Sequence, residues 1–109
     1  MKVSKELIKG TTPMLIMGVL KQKDMYGYKI IKELEKQSEF VFTMKEGTLY
    51  PILHALEIEN YLESYWEQCD GRKRKYYHLT QKGKAQLQEK QEEWKAFSTS
   101  VNKVLQIST

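Results

Sequence analysis

The chain has 109 residues, enough for one domain, and with 40% hydrophobic residues and only two prolines it has a folding rather than a disordered composition. Eighteen Lys and Arg against 14 Asp and Glu leave a formal net charge of +4, which permits an anionic partner without requiring one. A single cysteine, Cys69, excludes an internal disulfide and a multi-cysteine zinc site, and the most apolar run, Met14 to Leu20, is far shorter than the roughly 20 residues a membrane span needs.

The N-terminus carries no long apolar stretch with a small-residue cleavage site, so the expected location is a reducing cytoplasm. Thr12-Pro13 predicts a helix start, with Thr as cap and Pro at the first helical position, where the missing amide has no partner to lose. The helix that follows, through Met14, Leu15, Ile16, Met17, Val19 and Leu20, is apolar nearly all round and is expected to be buried on nearly all sides. A second helix is predicted over Tyr26 to Gln37, with Ile30, Ile31 and Leu34 on one stripe.

A third helix is predicted over Lys45 to Glu59. Leu49, Ile52, Leu53 and Leu56 fall at i, i+3, i+4 and i+7, which is one helical face. Thr43 with Glu46 resembles a capping box. Pro51 would break a helical hydrogen bond, so regular helix is expected to begin nearer Gly47 or Thr48. Tyr61 to Gln68 reads as a strand, Asp70-Gly71 as a hairpin turn, and Lys73 to Leu79 as the returning strand. Tyr77 and Leu79 share one face of that strand, while Arg74, Tyr76 and His78 share the other. Thr80 then caps a long last helix from Gln81 to Gln106.

Three helices, a β-ribbon and a long helix make a mostly α chain with a small β-hairpin. This is the plan of a winged helix-turn-helix, expected over residues 1–80, followed by a dimerisation helix over 81–109, the two forming one compact unit. In such a plan the third helix enters the DNA major groove. Its polar side offers Gly47, Thr48, Tyr50, Pro51 and His54, with Lys45 at its start. The face has no Arg, Asn or Gln to read guanine or adenine in bidentate fashion, so specificity is modest or rests partly on DNA shape. Arg72, Lys73, Arg74 and Lys75 sit at the ribbon tip, where they can meet phosphates or stand as a solvated turn. Alternation sends Arg72 and Arg74 one way and Lys73 and Lys75 the other, so only part of the run touches any one surface.

The last helix, about 40 Å long at 1.5 Å per residue, carries Leu87, Trp94, Val101 and Leu105 on one side, flanked by Phe97 and Val104. That exceeds what a body of about 80 residues, with a radius of gyration near 12 Å, can cover. The surplus stripe points to a homodimer with two reading helices about one DNA turn apart. Trp94 is then either an interface core residue or a platform for a planar apolar molecule, with Phe97 and Val101 beside it. His54 and His78 form no visible metal site, Cys69 reads as incidental, and neither a phosphate-binding glycine loop nor a nucleophile-base cluster marks an enzyme, so no cofactor is expected. Two rival readings are a winged-helix protein-interaction module and a nonspecific RNA binder. The basic hairpin argues against the first, and the scarcity of exposed aromatics against the second.

Three segments together, GVLKQKDMYGYKIIKEL, EGTLYPILHALE and GRKRKYYHLTQKGKAQL, resemble the PadR family of bacterial transcriptional regulators over nearly the whole chain. The resemblance implies a winged-helix repressor, dimeric through its first and last helices, that binds an inverted-repeat operator of double-stranded DNA. It makes the helix holding Thr48, Leu49, Tyr50 and Pro51 the recognition helix, and Arg72 to Lys75 the wing. A longer branch of the family has a multi-helix C-terminal domain and responds to phenolic acids. This chain has one helix after the wing, and so is similar to the short, LmrR-like branch. There, a tryptophan of the last helix stacks on flat aromatic drugs at the dimer centre. EEWKAF sets Trp94 in the matching place, which implies a multidrug-type ligand held at Trp94.

Overall fold

The computed structural model describes residues 3–108, so Met1, Lys2 and Thr109, at the ends of the two expected units, lie outside the described residues. The chain runs α1 (Lys5–Lys9), α2 (Thr12–Gln22), β1 (Met25–Tyr26), α3 (Gly27–Gln37), α4 (Glu46–Ile58), β2 (Leu62–Cys69), β3 (Arg72–Leu79) and α5 (Gln81–Leu105). Two elements were not expected. α1 is a single short turn capped by Ser4, whose hydroxyl accepts from Leu7 N at 3.4 Å. β1 is two residues long and pairs antiparallel with β3, Met25 opposite Tyr77 and Tyr26 opposite Tyr76. The expected two-stranded hairpin is thus a three-stranded sheet in the order β1-β3-β2.

The start of α2 is one residue earlier than expected. Thr11 takes the cap position, Thr12 is already helical, and neither hydroxyl caps the helix. Both hydroxyls donate backwards to the Ile8 carbonyl, at 2.8 and 3.2 Å, and so fasten α1 to α2. α2 buries Ile16, Met17, Val19 and Leu20, but Met14, Leu15 and Gly18 are only half-buried. The expectation of burial on nearly all sides is corrected: one side of α2 stays partly open.

The Thr43–Glu46 capping box does not form, because Lys45 is the cap residue and no side chain bonds the helix start. α4 nevertheless begins at Glu46, ahead of the expected Gly47 or Thr48. The Lys45 carbonyl accepts from both Thr48 N (3.0 Å) and Leu49 N (3.1 Å), which closes the first turn before Pro51 removes the amide that would have bonded Gly47. A proline this near the start costs one bond without breaking the helix.

The ribbon follows expectation within one residue at each end. Asp70 (φ 53°) and Gly71 (φ 76°) both take the left-handed conformation that a two-residue hairpin turn demands. Leu62, Tyr77 and Leu79 join Ile16, Ile30, Leu49, Leu53 and Leu87 in one core. α5 leaves this core at a tight joint. The Thr80 hydroxyl accepts from Gly83 N at 3.0 Å and donates to the Asn60 carbonyl at 2.7 Å. A Cβ on Gly83 would collide with the Tyr61 carbonyl oxygen and lie 2.6 Å from Leu79 Cδ1, so only glycine lets the helix approach β2 this closely. Beyond Leu87 the helix runs outward, and the described chain measures 53 × 30 × 21 Å.

Candidate nucleic-acid interface

On α4, Leu49, Leu53 and Leu56 point into the core. Thr48, Tyr50 and His54 lie on the exposed side, as does Lys45 at the cap. Tyr50 is not simply a solvent-facing ring. Its hydroxyl occupies the space beside Gly27, where an added Cβ would sit 2.6 Å away, so α3 and α4 dock through a glycine–tyrosine contact. Burial, then the nearby Glu46, raises its pKa above the ordinary tyrosine value. Sequence reading missed the role of Gly27, whose only signal was a glycine opening a helix. It also missed Lys5. α1 brings Lys5 into a groove of about 680 Å³ shared with Thr43, Lys45, Thr48 and Glu35.

The ribbon presents two faces. On one, Tyr65 stacks on Tyr76 (centroids 5.7 Å), Tyr76 meets Tyr26 edge-on (5.6 Å), and the Arg74 guanidinium lies 4.4 Å from the Tyr26 ring. Arg74 Nε is buried and has no hydrogen-bond partner among the described residues, which leaves the aromatic face as its main compensation. Asp24 locks the same face. It accepts from the Tyr65 hydroxyl at 2.7 Å, and His78 Nδ1 lies 2.8 Å from its other oxygen. Burial opposes ionisation of Asp24, but the bonds from His78 and Tyr65 outweigh it and hold the carboxyl below the ordinary range. The bond to Asp24, helped by burial, pushes the Tyr65 hydroxyl up to about 12. The neighbouring Cys69, with burial, does the same to Tyr76.

The opposite face carries Ser64, Trp66, Gln68, Lys73 and Lys75, since Trp66 pairs with Lys75 and Gln68 with Lys73. This face turns toward α4: Glu57 accepts from Ser64 at 2.9 Å and lies 3.9 Å from the Lys75 ammonium. The four ribbon cations are therefore divided. Arg72 and Arg74 go with the tyrosine ladder, and Lys73 and Lys75 with Trp66.

On α5, Trp94 and Phe97 are neighbours, ring centroids 6.3 Å apart. Trp94 borders a hollow of about 460 Å³ with Leu15, Gly18, Leu34 and Phe42, and a second of about 360 Å³ with Leu7, Met14 and Phe42. Val101 does not join Trp94; it lines a separate apolar hollow with Phe97, Val104 and Leu105 one turn further out. Phe42 was not anticipated. It precedes the α4 cap by three residues, and its amide bonds the Ser38 hydroxyl at 3.0 Å. Among the described residues there is no cluster of metal-ligating side chains, and no helix is long and apolar enough to cross a membrane.

Residues 16–89, which hold the helix-turn-helix, the ribbon and the start of α5, match the model of the transcriptional regulator PadR-like family. The chain belongs to this family. It is 39% identical to an uncharacterized protein of Lysinibacillus sphaericus over 84% of this chain and 85% of that one. It is 36% identical to the transcriptional regulator Rv3488 of Mycobacterium tuberculosis, over 61% of this chain and 59% of the other, so it spans about six tenths of that relative. The crystal structure of a PadR-like transcriptional regulator from Bacillus cereus superposes with a TM-score of 0.84 at 36% identity, over 95% of this chain and all of the other. The winged fold with its long last helix is thus that of PadR-like regulators, and the chain is a transcriptional regulator.

Proposed function

We infer that two copies of this PadR-like chain pair through α2 and α5 into a sequence-specific DNA-binding repressor of the short, LmrR-like kind. A planar aromatic, multidrug-type molecule at the seam relieves repression. The observation that carries this reading is the apolar stripe on the outer half of α5. Val104 is 81% exposed, Phe97 61% and Trp94 46%, more contiguous apolar surface than a soluble monomer ordinarily leaves to water. Gly18 adds support. A glycine in mid-helix costs about 1 kcal/mol relative to alanine, yet outside the local helix backbone nothing lies within 4 Å of a Cβ placed there. Close approach by a second helix supplies the missing reason.

In this arrangement Lys45, Thr48, Tyr50 and His54 meet the groove of an inverted-repeat operator. The wing, with Arg72, Lys73, Arg74 and Lys75, supplies positive charge beside the flanking backbone. Trp94 and Phe97, with Val101 further along, form the seam and the ligand site. The hollows beside Trp94 share Phe42 with the approach to α4, so a ligand there can shift the dimer between a geometry that fits the half-sites and one that does not. A cytoplasmic site of action is in keeping with a chromosomal target.

The test combines sedimentation with gel retardation of the region upstream of the chain's own gene, followed by titration with flat cationic dyes. A dimer that retards the duplex and releases it with dye is expected, and dye quenching of tryptophan emission should vanish in Trp94→Ala. A compact monomer that ignores DNA sinks the reading. A dimer that ignores DNA favours a protein-interaction module instead.

A further inference from the structure

The winged ribbon has two faces with different charge. The tyrosine face carries Arg72, Arg74 and His78, but also Glu63 and Glu67 directly across the strand pair, with Asp24 bonded to its base. The opposite face, beyond Ser64, carries Trp66, Gln68, Lys73 and Lys75, and no carboxylate of the ribbon itself. Glu57 of α4 faces it, 3.9 Å from Lys75, a surface pairing of little strength. Net positive charge on the ribbon is therefore concentrated on the Trp66 side.

That side also looks toward the reading helix. Glu57, which bonds Ser64 and approaches Lys75, lies on the same stripe of α4 as Tyr50 and His54, at i+7 and i+3 from them. Trp66 stands at this place 66% exposed, although Tyr65 next to it in sequence is engaged by Tyr76 and Asp24. A lone exposed aromatic on a strand needs no special reason. This one, however, stands directly opposite Lys75, with Lys73 one pair further toward the tip of the same, less acidic ribbon face.

We propose that this face, rather than the arginine and tyrosine face, meets the DNA duplex, and that Trp66 packs on the sugar–phosphate backbone there while Lys73 and Lys75 neutralise its phosphates. The indole supplies flat apolar area against deoxyribose and one N–H donor for a phosphate oxygen. Arg74, drawn over Tyr26, stiffens the ribbon from behind. The inference rests on the DNA-binding reading above and selects the surface that performs it.

The contact is sequence-independent, so a labelled duplex of mixed sequence at low salt is a sufficient probe. Trp66→Ala is expected to weaken binding about tenfold, the size of one lost aromatic contact, with the slope of log affinity against log salt unchanged. Trp66→Phe recovers most of the loss. Lys73→Ala lowers the slope by about one charge per subunit, and Arg74→Ala leaves it as it was. The duplex is also expected to quench tryptophan emission in the parent protein, and that quenching disappears in Trp66→Phe, a readout that does not depend on a truncated side chain. If the parent binds the duplex while Trp66→Ala binds equally well and the quenching survives in Trp66→Phe, the inference is overturned and DNA binding stands. A parent that does not bind the duplex overturns both.

Discussion

Two positions carry consequences out of proportion to their size. Gly83 lets α5 touch the start of β2, and any side chain there meets backbone rather than a flexible neighbour. Gly83→Ala is expected to cost about 1–3 kcal/mol, the usual range for overpacking a tight site, and to lower the midpoint of chemical denaturation accordingly; an unchanged midpoint would mean that the joint yields easily. Asp24 is the second position. Its folded pKa lies below the unfolded value of 3.8, so the stability it contributes is complete above about that pH and is lost as pH falls through the lower folded value. Asp24→Asn should therefore be less stable than the parent at neutral pH and approach it in strong acid. The same substitution weakens the bond to the carboxylate, and removes the charge, that together with burial hold Tyr65 near 12, so Tyr65 should ionise earlier in an alkaline absorbance titration.

At the scale of elements, the long regular pieces were legible because periodicity and turn chemistry agreed. The apolar residues Leu49, Ile52, Leu53 and Leu56, at i, i+3, i+4 and i+7, placed the inner face of α4, Asp70-Gly71 placed the turn, and Thr80 placed the start of α5, each within a residue of the structure. What was missed is short or depends on contact across the chain. α1 has five residues and β1 two, too few to make a period, and β1 exists only because β3 offers it an edge. The Gly27–Tyr50 contact joins residues 23 apart, and nothing local to either announces the other. The Thr43–Glu46 pair has the spacing of a capping box but lies two positions short of a helix whose cap is Lys45. The Thr80 cap holds both a helix start and the Asn60 carbonyl, so Thr80→Ala should cost about 1–2 kcal/mol and loosen amide protection through the first turn of α5. Hydrogen exchange at Gly83 and Lys84 is the direct measure, and unchanged protection there would deny the cap its role.

The whole molecule is a compact winged body with a projecting arm, and the proposed dimer gives the arm its purpose. Gly18→Ala separates the two levels. In the isolated chain it should stabilise α2 by up to about 1 kcal/mol, because helix propensity improves and no neighbour is struck. In the assembled pair it should weaken association, because the added methyl stands where the second α2 approaches. Sedimentation and thermal melting over a dilution series read the two effects apart, and an association constant that does not move would take α2 out of the interface.

The joint at Thr80 and Gly83 has one more implication. It leaves the arm no swivel at its root, so the azimuth of every outboard side chain is inherited from the ribbon. Each residue inserted between Gly83 and Trp94 would turn the outer stripe by about 100°, whereas seven, close to two full turns, would restore its bearing. If two copies pair along this stripe as proposed, insertions of seven or eleven residues should keep the pairing far better than insertions of five or nine.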